Sequence, residues 1–537
     1  MAETNTEMSV DDFINDQDVL DCLKKLKSRF GEKGEKLIVS DVIDMDGHQY
    51  VNLVQKGGGV LGTALVGYTY ILEQMNIRFI RLAGTSAGAI NTALMTIIGG
   101  SSETVNKDGG TEKIVKGDKQ KAKSEEILKI ICDLNFFDLV DGHPAARWII
   151  KEFIKQKDFS GTVNKLITRI LITLVALPVL DFICLGLQHQ YPAVSFLTKL
   201  LFVLTGFFIM LVSLLVVYLV FLFTRLKDSG FGINPGDFFY DWIKLRMGDN
   251  DVHTVSDLIS KASTPVPGLK LRVENEEGIK GLDGDVTFIA SELVTENKIE
   301  FPKMWKLFRT EIDMLQPAGF VRASMSIPIF FESYFIDEIP CTTEQIKKEW
   351  AGLDEPDPPS VTRFVDGGIL SNFPINLFYN PDVDIPRLPA FGIDLDDKKA
   401  PEKEPEKEIG KVTEIGNADK AEGGDESTAN DQGKHAEDWS LTGYIYRLFG
   451  TVRSYYDKDF LIKNSFFKKG IGVIPLKGFG WLNFFLDNNA KKEMFILGAQ
   501  AATKFLEDFD WEEYKTSRLK MQKDLMEKPT PVLADNK

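Results

Sequence analysis

The chain has 537 residues, and its 79 Asp and Glu against 63 Lys and Arg give a formal net charge of −16. This length exceeds the size at which one hydrophobic core usually stops growing, so we expect one large domain with insertions and extensions. The acidic balance argues against nucleic acid as a partner. We interpret the four scattered cysteines as reduced thiols, because they form no C-x-x-C pair: Cys22, Cys132, Cys184 and Cys341.

Residues 1–47 are predicted to form an N-terminal helical extension. Apolar residues recur at helical spacing from position 10 to position 30. Residues 1–21 are polar and acidic and lack the basic start and apolar stretch of a secretory signal. We therefore expect the globular part of the chain to lie in the cytoplasm.

The next segment alternates strands and helices. Residues 50–54 and 77–83 read as buried strands, and each is followed by a glycine-rich turn and a helix, over 63–75 and 89–97. This alternation favours an α/β sheet with parallel neighbours. In such sheets ligands bind beyond the carboxyl ends of the strands, where both glycine-rich turns lie.

The first turn reads G-G-G-V-L-G over residues 57–62. Its exposed amides, those of Gly57, Gly58 and Gly59, can converge on an oxyanion, as acyl transfer requires. The same segment also satisfies the dinucleotide fingerprint G-x-G-x-x-G, which leaves nucleotide binding as an alternative. That alternative needs an acidic residue at the end of the following strand, and this strand instead carries Arg78 and Arg81.

The second turn is Gly84-Thr85-Ser86-Ala87-Gly88. A G-x-S-x-G sequence between a strand and a helix projects the serine hydroxyl above the sheet edge, and the tight turn needs the small neighbours Gly84 and Gly88. Glycine-rich turns that contain a serine are common, so this pattern alone is weak. The strand before it and the helix after it favour Ser86 as a nucleophile.

Two apolar runs, over residues 170–187 and 200–224, interrupt the globular pattern. The second run contains no charged residue in 25 positions. At about 1.5 Å per helical residue it exceeds the roughly 30 Å hydrocarbon core of a bilayer. We predict a membrane-inserting helical hairpin over residues 161–227, with two buried helices of a soluble core as the alternative. Basic residues are more numerous outside the two runs than in the connection between them, which predicts that the rest of the chain lies on the cytoplasmic side. The residues outside are Lys157, Lys165, Arg169, Arg225 and Lys227, and the one in the connection is Lys199.

A third motif, Asp366-Gly367-Gly368, follows the apolar pair 364–365. An aspartate past a strand end, with two glycines behind it, can approach another backbone closely, as a general base must. An ordinary turn explains the same residues. The five histidines have no evident partner, so the sequence does not support a Ser-His-Asp triad and leaves a Ser86–Asp366 dyad. We find no cluster of Cys, His and carboxylates with metal-ligand spacing.

Together the three motifs resemble the patatin-like phospholipase family, whose hallmarks are a glycine-rich oxyanion loop, a G-x-S-x-G elbow and a D-G-G/A turn. The resemblance extends to residues 231–236 and 322–328 and to Asn372 and Pro374. It implies a nucleophile at Ser86, a base at Asp366, and neither metal nor cofactor.

Two positions depart from the family pattern. Members often carry an acidic residue before the triple glycine and a basic residue before the last glycine of the loop, whereas this chain has Lys56 and Leu61. The backbone donors survive both changes. The basic side chain that family members often have in this loop is absent here, and so is any role it has in shaping the loop or meeting a phosphate.

The resemblance implies a three-layer α/β/α patatin-like core, which we place at residues 48–160 and 228–396, on either side of the hairpin. Residues 101–126 are polar and are expected to form a surface loop. Residues 397–438 have the composition of an acidic disordered linker, and residues 439–537 of an aromatic-rich helical extension. The expected activity is hydrolysis of a lipid ester at a bilayer. A catalytically silent membrane scaffold and a nucleotide-binding protein are the alternatives.

Overall fold

The computed structural model describes residues 8–107, 110–144, 147, 159–188, 191, 194–228, 230–272, 282–381, 383, 385–396 and 441–527. Its strands β1 to β14 are, in order, Val42–Ile43, Gln49–Gln55, Ile77–Thr85, Ser101–Lys107, Gly110–Lys116, Gly232–Asn234, Lys270–Leu271, Asp285–Glu292, Lys298–Phe301, Ile329–Phe331, Tyr334–Ile336, Thr362–Asp366, Ala390–Asp396 and Ile471–Pro475. Its helices α1 to α14 are Val10–Ile14, Gln17–Phe30, Gly62–Gln74, Ala87–Ile97, Ser124–Cys132, Phe159–Gln188, Ser195–Asp228, Asp237–Asp249, Val255–Ser263, Pro317–Ser324, Glu344–Ala351, Leu441–Lys463, Asn488–Asp508 and Trp511–Glu527.

A central ten-stranded mixed sheet organises this α/β protein. Its main path runs β11-β12-β8-β3-β2-β13-β14, while β9 pairs with β8 and the short strands β1 and β7 continue from β2. The pairs β3–β8, β2–β3, β2–β13 and β13–β14 are parallel. Strands β9 and β12 run antiparallel to β8. The predicted parallel neighbours are therefore present in the middle of the sheet, and antiparallel strands join it both at β8 and, through β1 and β7, at β2.

The local pattern of strand, turn and helix is confirmed around both glycine-rich turns. Strand β2 precedes α3, and β3 precedes α4. Every residue of β2 is buried, as expected of a strand covered on both faces. Because β2 and β3 are parallel neighbours, their carboxyl ends bring both turns to one edge of the sheet.

Strand β12 reaches the same edge from the opposite direction. Asp366, its last residue, pairs with Ala290 of β8. The neighbouring residue Ile289 pairs with Thr85 on β3, directly before Ser86. Because β9 pairs with residues 288–291 on the other side of β8, β3 and β12 meet end to end along one side of it, which brings Asp366 next to Ser86 although 280 positions separate them in the chain.

The sequence predicted a surface loop over residues 101–126, but the structure shows regular secondary structure there. Strands β4 and β5 form an antiparallel hairpin there, and α5 begins at Ser124. Cross-strand pairing provides its backbone hydrogen bonds without a continuous apolar run.

The C-terminal region is more than a helical extension. Strand β14 joins the main sheet beside β13, with Gly392 opposite Ile471. Helix α13 packs along α3, where Phe495 touches Tyr70 at 5.7 Å between ring centroids. The acidic segment 397–438 lies outside the described residues, so the linker expectation stays a prediction.

Helices α6 and α7 form a hairpin of two long apolar helices. Their spans Ile167–Gln188 and Ser195–Lys227 have mean hydropathies of 2.5 and 2.9, and only 6% of each most apolar window is buried. Large apolar side chains point outward along both, as Phe182 does at 76% exposure. This exposure contradicts the alternative of two core helices. The few polar side chains inside the pair, such as Asp181 and Thr205, are buried between the helices.

Candidate active site

Ser86 occupies a strained turn at the start of α4. Its φ of 54° and ψ of −122° lie in a region that non-glycine residues rarely adopt. Its N–H donates to Ser324 Oγ at 3.1 Å, and the residue is buried. A Cβ at Gly84 would overlap the carbonyl oxygen of Gly88, and one at Gly88 would overlap that of Gln55. The two glycines therefore permit the close backbone approach that the sequence motif predicts.

The structure brings Ser86 and Asp366 together. The Ser86 side chain lies close enough to the Asp366 carboxyl group to lower its pKa, and this carboxyl group accepts the Gly368 N–H at 2.7 Å. Burial raises the pKa of Asp366, while the charge of Arg453, the Ser86 hydroxyl and the Gly368 N–H oppose the rise. No histidine is among these partners in the described part of the chain. The Ser86 hydroxyl thus lies beside a carboxyl group.

The glycine-rich loop lies beside this pair, but its three amides are not equivalent. The Gly57 N–H donates to the Asn372 carbonyl at 3.0 Å, and is thus engaged rather than free for an oxyanion. The amides of Gly58 and Gly59 donate to no residue that the structure describes. Gly59 has φ +56°, and a Cβ there would overlap the Trp481 carbonyl oxygen. The geometry therefore narrows the candidate oxyanion donors to Gly58 and Gly59.

The turn after Asp366 is held by close backbone packing. The Asp366 N–H donates to the Ser326 carbonyl at 2.8 Å. A Cβ at Gly367 would overlap the Ile289 carbonyl oxygen, and one at Gly368 would lie 2.6 Å from Asn372 Oδ1. Both glycines are thus required where the sequence placed them as supports of the turn.

Arg322 joins two segments of the chain next to Asp366. Its guanidinium donates to the carbonyls of Pro235 at 2.6 Å and Glu332 at 2.9 Å, and to Ser326 Oγ. Burial lowers its pKa to about 10, which leaves it charged at neutral pH. Residues 231–236 and 322–328, noted in the sequence, are therefore joined by one buried cation that also fixes Ser326 beneath Asp366.

An apolar cavity of about 60 Å³ opens at Ser86. Its walls come from six regions of the chain and are mostly aliphatic or aromatic, for example Ile90, Leu94, Leu134, Phe239, Ile327 and Phe484. The Ser86 side chain therefore faces apolar walls.

Three residues of the C-terminal region lie at the site, and no sequence motif predicted them there. Phe484 lines the cavity and stacks on Phe330 at 4.5 Å between ring centroids. The Trp481 carbonyl accepts the Val60 N–H at 3.0 Å. Arg453 donates to Asn372 Oδ1 at 2.7 Å. Only the aromatic composition of residues 439–514 hinted that this region packs against something.

One group of metal-ligand type does exist, contrary to the expectation from spacing. Asp44, Asp46 and His48 bring ligand atoms within 4.8 Å of one another. They precede β2 and so lie at the opposite edge of the sheet from Ser86. Asp44 already accepts hydrogen bonds from His48 at 2.8 Å and from Tyr50 and Gln120, each at 2.9 Å. Internal hydrogen bonds account for this group.

Comparison with known proteins finds a family match in the middle of the chain. Residues 213–379 match the family model described as Patatin-like phospholipase, so the chain contains a patatin-like phospholipase domain there. The match includes Asp366 and Asn372, whereas Ser86 and Arg453 lie outside it. A second similarity is 52% identity over 46 residues to the uncharacterized protein YqhO of Bacillus subtilis (strain 168), which covers 9% of this chain and 16% of that relative.

Proposed function

We propose that the chain is a membrane-associated lipid acyl hydrolase that cleaves a carboxylic ester through an acyl-Ser86 intermediate, with a Ser86–Asp366 dyad. The observation that carries this proposal is the placement of the Ser86 hydroxyl beside the Asp366 carboxyl group, with Ser86 lining an apolar cavity. The match at residues 213–379 supports the lipid class of substrate. The fold we propose is the three-layer patatin-like core, formed by residues 48–160 and 228–396.

The reaction follows from the positions of these groups. Asp366 takes the Ser86 hydroxyl proton while the oxygen attacks the ester carbonyl. The oxyanion that develops faces the Gly58 and Gly59 amides, and donors of this kind typically accelerate acyl transfer about a hundredfold or more. Asp366 then returns the proton to the departing alcohol, which leaves an ester at Ser86. In the second half, Asp366 activates a water molecule that releases the fatty acid.

The hairpin supports a place at the membrane. Ser86 precedes α6 and Asp366 follows α7, yet both side chains share one site, so the chain must cross a bilayer an even number of times. Two spanning helices satisfy this, and the basic residues outside the pair favour the cytoplasmic side for the site. The outward apolar side chains of both helices then contact lipid.

The nucleotide-binding alternative gains no support from the loop. The Gly57 and Val60 amides already donate to Asn372 and Trp481, so two donors that a pyrophosphate would need are engaged. A silent scaffold predicts an unreactive Ser86, which can be measured directly.

A fluorophosphonate probe tests the proposal. Wild type should be labelled, and Ser86→Ala should lose both labelling and ester hydrolysis with little change in Tm. Ser28→Ala, which removes an exposed hydroxyl on α2, should retain both. Labelling that persists in Ser86→Ala would refute the nucleophile, and an unlabelled wild type would favour the scaffold.

A further inference from the structure

Helix α12, from the C-terminal region, lies across the turn that follows Asp366. Asp457 accepts the Ser371 hydroxyl at 2.8 Å and the Phe373 N–H at 2.7 Å. One helical turn earlier, the Arg453 guanidinium donates to Asn372 Oδ1. Because residues four apart share a face of a helix, α12 holds three consecutive residues of the turn from one side.

Asn372 connects this helix to the glycine-rich loop. Its carbonyl accepts the Gly57 N–H at 3.0 Å, and its Nδ2 donates to the Gly57 carbonyl at 3.3 Å. The Asn372 side chain therefore has its amide oxygen on Arg453 and its amide nitrogen on Gly57. Displacement of Arg453 would release the amide group that fixes the start of the loop.

Arg453 also places a charge at the dyad. A Cβ at Gly368 would lie 2.8 Å from Asp366 Oδ1 and 3.2 Å from Arg453 Nε, so the two side chains face each other across this glycine. Arg453 Nε is buried and has no hydrogen-bond partner among the described residues. The Trp481 ring covers the guanidinium, with Cζ 5.5 Å from the ring centroid. Such shielding from water strengthens the interaction of the cation with a nearby carboxylate.

Helix α12 does not need the Arg453 side chain beside Asp366 in order to stay in place. Asp457 and the aromatic contacts of the helix already secure it to the turn. Arg453 is half-buried, and the burial of its Nε–H without a hydrogen-bond partner costs free energy. The position of the Arg453 guanidinium is explained if its positive charge favours the ionised form of Asp366.

Resting on the proposed function, we infer that Arg453 is a positioning residue of the active site, which holds Asn372 against the glycine-rich loop and sets a positive charge beside Asp366. This side chain lies outside the matched residues 213–379. The C-terminal region thereby supplies the basic group that the loop lacks, where Leu61 precedes its last glycine.

The test compares full-length wild type with Arg453→Gln, Arg453→Lys and the matched control Lys458→Gln, whose lysine is exposed on the same helix. The assay measures kcat and KM for p-nitrophenyl butyrate from about pH 5 to about pH 9. Loss of a charged hydrogen-bond donor should reduce kcat/KM of Arg453→Gln by about ten- to a hundredfold near neutral pH. The acidic limb of its profile should also move to higher pH, because the cation that opposes protonation of Asp366 is gone.

The lysine variant separates charge from structure. Arg453→Lys should keep the acidic limb close to that of wild type, even where kcat falls, and Lys458→Gln should match wild type throughout. An unchanged acidic limb in Arg453→Gln, or equal losses in both Arg453 variants together with a lower Tm, would overturn the inference. If wild type itself shows neither turnover nor labelling of Ser86, it is the proposed hydrolase function that fails.

Discussion

Filling the cavity should change which acyl chains the protein hydrolyses. Leu94 lines the cavity and lies eight residues beyond Ser86 on the same helix, about 12 Å along its axis. An extended acyl chain bound at Ser86 covers that distance with about nine or ten carbons. Leu94→Phe extends a ring into this space, so it should obstruct long chains and spare short ones.

The magnitude follows from burial. A twelve-carbon chain has about three methylenes beyond the obstruction, and each contributes about 0.8 kcal/mol when buried. The loss of about 2.4 kcal/mol corresponds to roughly a fiftyfold decrease in kcat/KM. A four-carbon ester ends well before the obstruction and should change by no more than about threefold.

The assay uses p-nitrophenyl esters from four to twelve carbons. Leu72→Phe is the control, because Leu72 is fully buried on α3 and does not line the cavity. Both variants should lose about 1 to 3 kcal/mol of stability through overpacking, seen as similar decreases in Tm. Equal losses across the ester series, or an unaffected twelve-carbon ester, would show that the acyl chain does not bind in this cavity.

Four further predictions concern the dyad, the helix beside it, the membrane and metal ions. Asp366→Asn should reduce kcat severely. In wild type the activity should fall on acidification at a higher pH than an ordinary aspartate would give, because burial raises the pKa of Asp366 above 3.8. A pH–rate profile without that acidic limb would contradict this prediction. Burial raises the pKa of Asp457 from 3.8 to about 6. Its stabilising contribution, about 3 kcal/mol, is therefore complete below about pH 3.8 and lost as the pH rises through 6. Denaturant unfolding across this range should show the decline in wild type relative to Asp457→Asn, and parallel curves would refute it. A cysteine at Tyr191, in the connection between α6 and α7, should react with an impermeant maleimide outside sealed vesicles while one at Ser101 should not; protection at both would mean that the hairpin does not span. EDTA should leave hydrolysis unchanged, whereas a loss that added metal restores would require a metal in the reaction.

The sequence determined the local features of the site. A G-x-S-x-G segment between an apolar strand and a helix can adopt few conformations, so the turn at Ser86 was predictable from residues within ten positions of it. The glycine-rich loop and the Asp-Gly-Gly turn were predictable for the same reason. Hydropathy alone located α6 and α7, because helices that face lipid need no polar stripe.

Only the tertiary structure decided what completes the site. The antiparallel direction of β12 depends on pairing with β8 about 75 residues away, and no local pattern records the direction of such a pairing. Arg453, Trp481 and Phe484 reach the dyad because β14 joins β13 and α12 packs on the turn after Asp366. Hydrophobic periodicity shows that a segment is buried on one face, but it does not specify the partner. The C-terminal region therefore becomes part of the candidate active site through long-range packing, which its own sequence does not reveal.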